Sequence, residues 1–151
     1  MYFLWFWAWK RKTLLIKFKT LYGSEKRVSK VRNYLIDWEA KSRSKIQFNT
    51  KQKLKKYWEK NLVFEEFPVV GTKLSIDFYN ASKKIAIEVQ GNQHRKYTPF
   101  FHGSNKMNYL DQIRRDKQKQ KFCEINDITL IEIYEVSEVN KSFFKNNGIA
   151  L

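Results

Sequence analysis

Two acidic residues in adjacent predicted strands are the strongest candidates for chemistry. Asp77 lies in Ser-Ile-Asp-Phe and Glu88 in Ile-Ala-Ile-Glu-Val, with the turn-like segment Asn-Ala-Ser-Lys (80–83) between them. An even-length hairpin loop there makes Asp77 and Glu88 diagonal neighbours on one face, with Cβ atoms about 7–8 Å apart. Carboxylates at this spacing repel each other unless a cation lies between them, and such oxygen ligands suit Mg²⁺, with Mn²⁺ as a substitute. The alternative is two exposed acids on a solvated sheet face.

The charge balance predicts a polyanionic partner. The 151 residues include 30 Lys+Arg and 15 Asp+Glu, a net charge of +15, which favours nucleic acid first and an anionic membrane surface second. Solubility alone is the alternative. Residues 1–60 carry 17 basic and 4 acidic residues (+13), whereas residues 61–151 carry 13 and 11 (+2). The first part is therefore predicted to bind the polyanion and the second part to carry the chemistry.

Composition also limits the class of protein. A chain of this length forms one domain with a proper core, and the 42% hydrophobic and 17% aromatic fractions exclude low-complexity disorder for most of it. The single cysteine, Cys123, excludes an internal disulfide and a two-cysteine zinc knuckle. Cys123 is predicted to be a small buried apolar residue.

Two helices are predicted in the basic part. One starts from Ser24 as N-cap and carries Val28, Val31, Leu35 and Trp38 at helical spacing. After a polar linker (41–47), a short basic helix starts at Thr50, with Leu54, Tyr57 and Trp58 on its apolar side. Its predicted solvent side consists of lysines: Lys51, Lys53, Lys55, Lys56 and Lys60. The first four are candidates for phosphate contact, and a solvated face is the alternative.

The remaining sequence predicts a mixed α/β sheet domain. Alternating patterns predict strands over 62–70, 73–79, 84–90 and 128–135, and a helix is predicted over 106–125. Leu74, Ile76 and Phe78, with Ile85, Ile87 and Val89, form the predicted core side of the central hairpin. The predicted organisation is an aromatic and basic arm (1–23), a basic helical region (24–60) and the sheet domain (61–151).

The first nine residues, Met-Tyr-Phe-Leu-Trp-Phe-Trp-Ala-Trp, are apolar and are followed by three basic residues. Nine residues are too few to cross a bilayer, which needs about 20. The order of charge and apolar run is also the reverse of a secretory signal. An interfacial anchor and a strand packed on the domain or on a second subunit both remain as interpretations, and membrane association is not the preferred one.

Beyond single residues, several segments follow one another in a fixed order. They are Ser-Ile-Asp-Phe, then Ile-Ala-Ile-Glu-Val-Gln-Gly-Asn-Gln-His (85–94), then Arg115-Asp116 with Lys119, and last Ile-Thr-Leu-Ile-Glu-Ile (128–133). The segments in this order resemble the PD-(D/E)XK nuclease superfamily. The branch it resembles contains very-short-patch-repair-like endonucleases and phage- and intron-encoded (homing-type) nucleases. The likeness covers about residues 62–135 and implies a restriction-endonuclease-like core.

The resemblance implies roles for the acids and for their neighbours. Asp77 and Glu88 become the Mg²⁺ ligands, and Glu66, preferred over Glu65, completes the site. Gln90 occupies the position that is Lys in the superfamily signature, and a neutral amide cannot donate a proton to the leaving group as Lys does. His94 is a candidate general base or phosphate contact because its pKa lies near neutrality, and a hydrogen-bonded loop histidine is the alternative.

Basic residues near these acids are predicted to bind the nucleic acid. They are Arg95 in the loop and Arg114, Arg115 and Lys119 on the long helix.

The function expected from this sequence is that of a Mg²⁺-dependent endonuclease that hydrolyses DNA phosphodiester bonds and leaves 5′-phosphate and 3′-hydroxyl ends. By resemblance it is phage- or mobile-element-encoded, acts in the cytoplasm of a bacterial or phage-infected cell, and is compatible with a homodimer. The departure at Gln90 supports an alternative, a non-catalytic nucleic-acid-binding protein with a nuclease-like fold.

Overall fold

The computed structural model describes residues 14–91 and 106–150. The strands are β1 (Lys17–Lys19), β2 (Glu25–Arg27), β3 (Val63–Pro68), β4 (Ser75–Asn80), β5 (Ile85–Val89) and β6 (Thr129–Ile133). The α-helices are α1 (Lys45–Trp58), α2 (Lys106–Ile125) and α3 (Lys141–Asn146), and two 3₁₀ turns span Val31–Tyr34 and Val136–Glu138. No helix of the described ranges is long and apolar enough to cross a membrane.

A four-stranded mixed sheet with the order β3-β4-β5-β6 forms the centre of the fold. Short loops join β3, β4 and β5, which pair antiparallel, whereas β6 pairs parallel to β5. A parallel neighbour requires a long crossover, and the segment that contains α2 provides it. The prediction of an α/β fold with a mixed sheet of about four strands flanked by helices is therefore confirmed.

Both faces of the sheet are buried. On one face, Phe78, Ile85 and Ile87 pack with Leu54 and Trp58 of α1, which confirms this part of the predicted core side of the central hairpin. The prediction is wrong for Leu74 and Ile76, which belong to the other cluster. The other face carries a second cluster, which joins the sheet to α2 and to the β1–β2 hairpin: Phe18, Phe67, Tyr79, Ala86, Phe122 and Cys123. The sequence pattern predicted the first core and left the second unassigned.

The predicted helix from Ser24 is wrong. Residues 17–27 form a hairpin in which Lys17 pairs with Arg27 and Lys19 with Glu25, and Gly23 turns the chain with a φ of +88°. Only Val31–Tyr34 forms a 3₁₀ turn. Phe18 explains the difference, because its ring is buried against Phe67, Tyr79 and Phe122 from distant parts of the chain. Tertiary packing decides the local conformation here.

Helix α1 begins earlier than predicted, at Lys45, because Ser44 caps it by accepting a hydrogen bond from the Gln47 N–H. The apolar side formed by Leu54 and Trp58 is confirmed. The solvent-side position of Lys51 is wrong, since Lys51 is fully buried. It lies three residues before Leu54 and therefore shares the buried face of the helix.

The elements of the second half lie close to their predicted positions. Helix α2 spans the predicted 106–125. Strands β3, β5 and β6 are shorter than predicted by one or two residues at each end, and β4 begins two residues later and ends one residue later than predicted. The fold here places the two acids and α2 around one face of the sheet.

Candidate active site

The central hairpin positions Asp77 directly across from Glu88. Phe78 pairs with Ile87 and Asn80 with Ile85, and continuing this register by one residue places Asp77 opposite Glu88. The loop spans residues 81–84, one residue later than predicted, and Lys84 accommodates it with a φ of +54°. The prediction that the two acids share a face is confirmed. Their predicted diagonal arrangement is wrong, and the actual pairing brings them closer together.

Backbone N–H groups orient both carboxylates. The Asp77 N–H donates to Glu88 Oε1 over 3.2 Å, and the Val89 N–H donates to Asp77 Oδ2 over 2.8 Å. Each side chain thereby accepts a hydrogen bond from the backbone of the opposite strand with one oxygen. The second oxygens are Oδ1 of Asp77 and Oε2 of Glu88, and the latter accepts from Lys119.

Lys119 of α2 contacts this pair. Its Nζ lies 2.7 Å from Glu88 Oε2, and the exposed fractions of the two side chains are only 16% and 6%. The neighbouring residues Phe122 and Cys123 are buried in the core and hold this part of α2 against the sheet. The sequence predicted that Lys119 belongs to a basic edge of the helix that binds phosphate, whereas in the structure its ammonium group contacts Glu88 of the acidic pair.

The electrostatics of the pair favour additional positive charge. Burial raises the pKa of Asp77 to about 6, with a further contribution from Glu66, while the Val89 N–H and Lys119 act in the opposite direction. Burial and then the charge of Asp77 raise the pKa of Glu88 to about 7, and Lys119 again opposes this. One lysine does not offset two desolvated carboxylates, so a divalent cation would stabilise their ionised forms further.

The donor chemistry fits Mg²⁺. Asp77 and Glu88 offer hard carboxylate oxygens, and Mg²⁺ commonly binds through one or two carboxylates plus waters and substrate phosphate. Within residues 14–91 and 106–150, no group of three or more His, Cys, Asp or Glu side chains forms a metal cluster. The pair is therefore suited to a metal ion that completes its coordination with water and phosphate.

Glu66 lies near the pair but is bonded to other groups. Its carboxylate accepts hydrogen bonds from Ser75 Oγ (2.9 Å) and Gln47 Nε2 (3.0 Å) and forms an ion pair with Arg43 (3.0 Å). It is close enough to raise the pKa of Asp77. Glu65 instead belongs to a buried network with Lys51. Participation of Glu66 in the site stays a prediction.

The other predicted site residues are distributed differently. Gln90 is buried at the end of β5, where its N–H donates to the Ile133 carbonyl over 2.7 Å. His94 and Arg95 lie outside the described residues. Arg114 and Arg115 are exposed on α2, and Arg114 forms an ion pair with Asp111.

The lysines of α1 do not share the face of the acidic pair. Lys53 and Lys56 are exposed and Lys55 pairs with Glu39, but α1 packs on the Phe78–Ile87 face of the sheet. These lysines therefore lie on a different face of the sheet from Asp77 and Glu88.

Sequence reasoning missed the buried network around Lys51. Its ammonium donates to the carbonyls of Asp37 (2.9 Å) and Ala40 (2.7 Å) and to Glu65 Oε2 (2.9 Å). Gln47 also contacts the acids of β3. The available signal was the spacing of Gln47, Lys51, Leu54 and Trp58, which places all four on one helix face.

The fold and the site define an α/β protein that carries a pair of acids, buried Glu88 and half-buried Asp77, on a central hairpin. Among relatives, uncharacterized protein 307L of Invertebrate iridescent virus 6 is 40% identical over 67 residues, 44% of this chain and 34% of that protein. Uncharacterized protein 094L of Frog virus 3 (isolate Goorha) is 38% identical over 73 residues, 48% of this chain and 47% of that protein.

Uncharacterized protein 033L of Invertebrate iridescent virus 3 is 36% identical over 66 residues, 44% of this chain and 34% of that protein. The chain thus spans between a third and a half of the length of these curated relatives. No family model matches the chain, and no solved structure matches it.

Proposed function

We propose that the protein is a Mg²⁺-dependent endonuclease that hydrolyses DNA phosphodiester bonds. The observation that carries the proposal is the acidic pair on the central hairpin, buried Glu88 and half-buried Asp77, in which a backbone N–H holds each carboxylate and Lys119 bonds to Glu88. Buried acids with raised pKa values are typical of functional sites. The net charge of +15 supports a polyanionic substrate.

The chain would position the reaction through this pair. When bound, Mg²⁺ would supply Lewis-acid chemistry, which lowers the pKa of water and stabilises charge on the phosphoryl group. Asp77 Oδ1 and Glu88 Oε2 would hold it, and the N–H groups of Asp77 and Val89 keep both carboxylates in a fixed orientation. A fixed orientation matters because small displacements at a reacting centre lower rates strongly.

Cations outside the pair would hold the DNA. Arg114 and Arg115 project from α2, the helix that also carries Lys119, and Lys53 and Lys56 extend the positive surface on α1. Phosphate contacts of this kind release counterions, so binding would fall steeply with salt. A restriction-endonuclease-like classification and a homing-type role are part of this proposal.

The setting proposed for this activity is a virus-infected cell. The relatives belong to viruses named for invertebrate and frog hosts, so this setting takes the place of the phage-infected bacterium expected from the sequence.

A second candidate is a non-catalytic nucleic-acid-binding protein with the same fold. Two observations favour it: Gln90 is a neutral amide, and Lys119 already holds Glu88 Oε2. In this case the lysine would serve as a permanent counter-ion that stabilises the fold, and the protein would bind DNA through its surface charge alone.

Nicking of supercoiled plasmid tests the proposal and separates the two candidates. The full chain is incubated with Mg²⁺, Mn²⁺ or EDTA beside Asp77→Asn and Glu88→Gln variants. Glu25→Gln, which removes an exposed acid of β2, serves as the matched control. We expect metal-dependent nicking by the wild type and the control and none by the two site variants, while all four proteins shift DNA in gels. Nicking that persists in both site variants would refute the proposal, and binding without cutting would favour the second candidate.

A further inference from the structure

We propose that Lys119 serves two partners in turn: it neutralises Glu88 when no metal is bound, and it moves to a non-bridging oxygen of the scissile phosphate when a divalent cation takes Glu88 Oε2. This inference rests on the proposed nuclease function and assigns a catalytic contact that Gln90 cannot make. The ammonium keeps its proton throughout and acts only as a charged hydrogen-bond donor.

The bonding of Lys119 suits a residue that changes partners. An ammonium group has three N–H donors. Lys51, a structural lysine of the same protein, uses all three on Asp37, Ala40 and Glu65. Lys119 makes a single hydrogen bond within the described part of the chain, to Glu88. Its other two donors have no acceptor among residues 14–91 and 106–150.

The anchoring of α2 keeps Lys119 within reach of the site. Phe122 and Cys123, one turn further along the helix, are 0% and 1% exposed. The neighbouring cations Arg115, Lys117 and Lys121 are exposed. Lys119 alone among the cations of the described part of α2 thus combines a core-fixed backbone with an ammonium at the acidic pair.

The charge balance explains why an exchange is favourable. Asp77, Glu88 and Lys119 sum to −1 when both acids are ionised, and a divalent cation changes the sum to +1. One phosphodiester anion then gives a neutral site. Without Lys119 the same assembly would carry a net charge of −1 in a largely buried position, where an uncompensated charge is costly.

The reaction assisted by Lys119 is ordinary hydrolysis. The oxygen of water forms a bond to phosphorus while the P–O3′ bond breaks. One proton of the water leaves to solvent, and the 3′ oxygen takes up a proton, which gives 5′-phosphate and 3′-hydroxyl ends. Lys119 would donate to the non-bridging oxygen on which negative charge increases in the transition state, and loss of one such donor typically lowers kcat by about 10²–10³.

Two measurements on a Lys119→Met variant of the full chain test the proposal, with Lys121→Met as the exposed control on the same helix. Calorimetry gives the Kd for Mn²⁺, and single-turnover cleavage at saturating Mn²⁺ gives the rate of the chemical step. Removal of a nearby like charge is expected to tighten Mn²⁺ binding roughly tenfold. The cleavage rate is expected to fall about 10²–10³-fold. The control should change neither value.

Each other outcome is informative. Tighter Mn²⁺ binding with unchanged cleavage would overturn the phosphate contact and leave Lys119 as a counter-ion only. Weaker Mn²⁺ binding, or no change in both values, would overturn the exchange itself. Should Lys119→Met fail to fold, Lys119→Arg serves as the second variant. It keeps the charge and is expected to retain the wild-type Kd for Mn²⁺ within about threefold, but to cleave more slowly because its planar group presents donors in a different geometry. An unchanged cleavage rate would count against the proposal.

A relocated lysine adds an independent readout. Adding Gln90→Lys to Lys119→Met returns a cation to the chain two residues after Glu88, and part of the lost rate should return. Absence of any recovery in a folded double variant would overturn the phosphate role of Lys119. Wild-type protein that binds Mn²⁺ but cuts no DNA would refute the nuclease function instead, and absence of Mn²⁺ binding would overturn both.

Discussion

Replacement of Asp77 by Asn is expected to stabilise the metal-free protein at alkaline pH. The substitution retains the size of the side chain and an oxygen that accepts from the Val89 N–H, but removes a buried charge that faces Glu88. Burial raises the pKa of Asp77 from 3.8 to about 6. At 1.36 kcal/mol per pKa unit, the ionised form costs about 3 kcal/mol in the folded state.

The sign and the pH window of this effect follow from the direction of the shift. Because the folded-state pKa is raised, the folded protein binds the Asp77 proton more tightly than the unfolded chain does. The stability of the wild type therefore falls as the pH rises from about 4 to about 6, and the full cost is present above that range. The Asn variant lacks this dependence. Its advantage should be about 2–3 kcal/mol at pH 8 and less than about 1 kcal/mol at pH 4.

Urea unfolding in EDTA at pH 8 and pH 4 measures this difference. Asp127→Asn is the matched control, because Asp127 is exposed and its φ of +54° is tolerated equally by Asn. Equal advantages of Asp77→Asn at both pH values, or a variant less stable than the wild type at pH 8, would refute the argument. Added Mg²⁺ should raise the free energy of unfolding of the wild type and not that of the variant, through ligand linkage.

Three further predictions concern other parts of the molecule. Lys51→Met is expected to lower the free energy of unfolding by about 3–5 kcal/mol because it leaves Glu65 buried without its partner; urea unfolding beside Lys53→Met checks this, and equal effects of the two changes would contradict it. Cys123, whose pKa burial raises to about 12, should react with a thiol reagent at pH 8 only after unfolding; rapid labelling of the folded protein would contradict its position in the core. The double change Lys53→Gln, Lys56→Gln should lower the slope of log K against log salt for duplex DNA by about 1.8, since each phosphate contact contributes about 0.9; an unchanged slope would show that these lysines do not contact DNA.

The sequence predicted the second half of the fold well because local pattern and tertiary environment agree there. Helix α2 and the four sheet strands begin and end within two residues of their predicted positions. Asp77 and Glu88 stand out because acids are unusual within such apolar strands. The exact pairing was not predictable, since Lys84 adopts a left-handed conformation that shifts the loop by one residue.

The first half was harder to predict because long-range contacts determine it. The spacing of Val28, Val31 and Leu35 matches a helix, yet this segment forms only the 3₁₀ turn Val31–Tyr34, and Val28 and Val31 pack in a cluster with residues that lie far away in the sequence. Lys51 was predicted to face solvent and Lys119 to contact phosphate, because the sequence does not show which partners other elements bring to them. A lysine is normally exposed, and only the partners supplied by other elements, Glu65 and Glu88, make these positions favourable.

The packing of the β1–β2 hairpin has a consequence for the order of folding during synthesis. The Lys19 N–H and C=O both bond to the side chain of Asn126, a separation of 107 residues, and the Phe18 ring packs on Phe122. These contacts cannot form until the end of α2 has left the ribosome. At about 5–20 residues per second, Phe18 would stay without its native neighbours for roughly 5–20 s, an interval in which a chaperone could bind it.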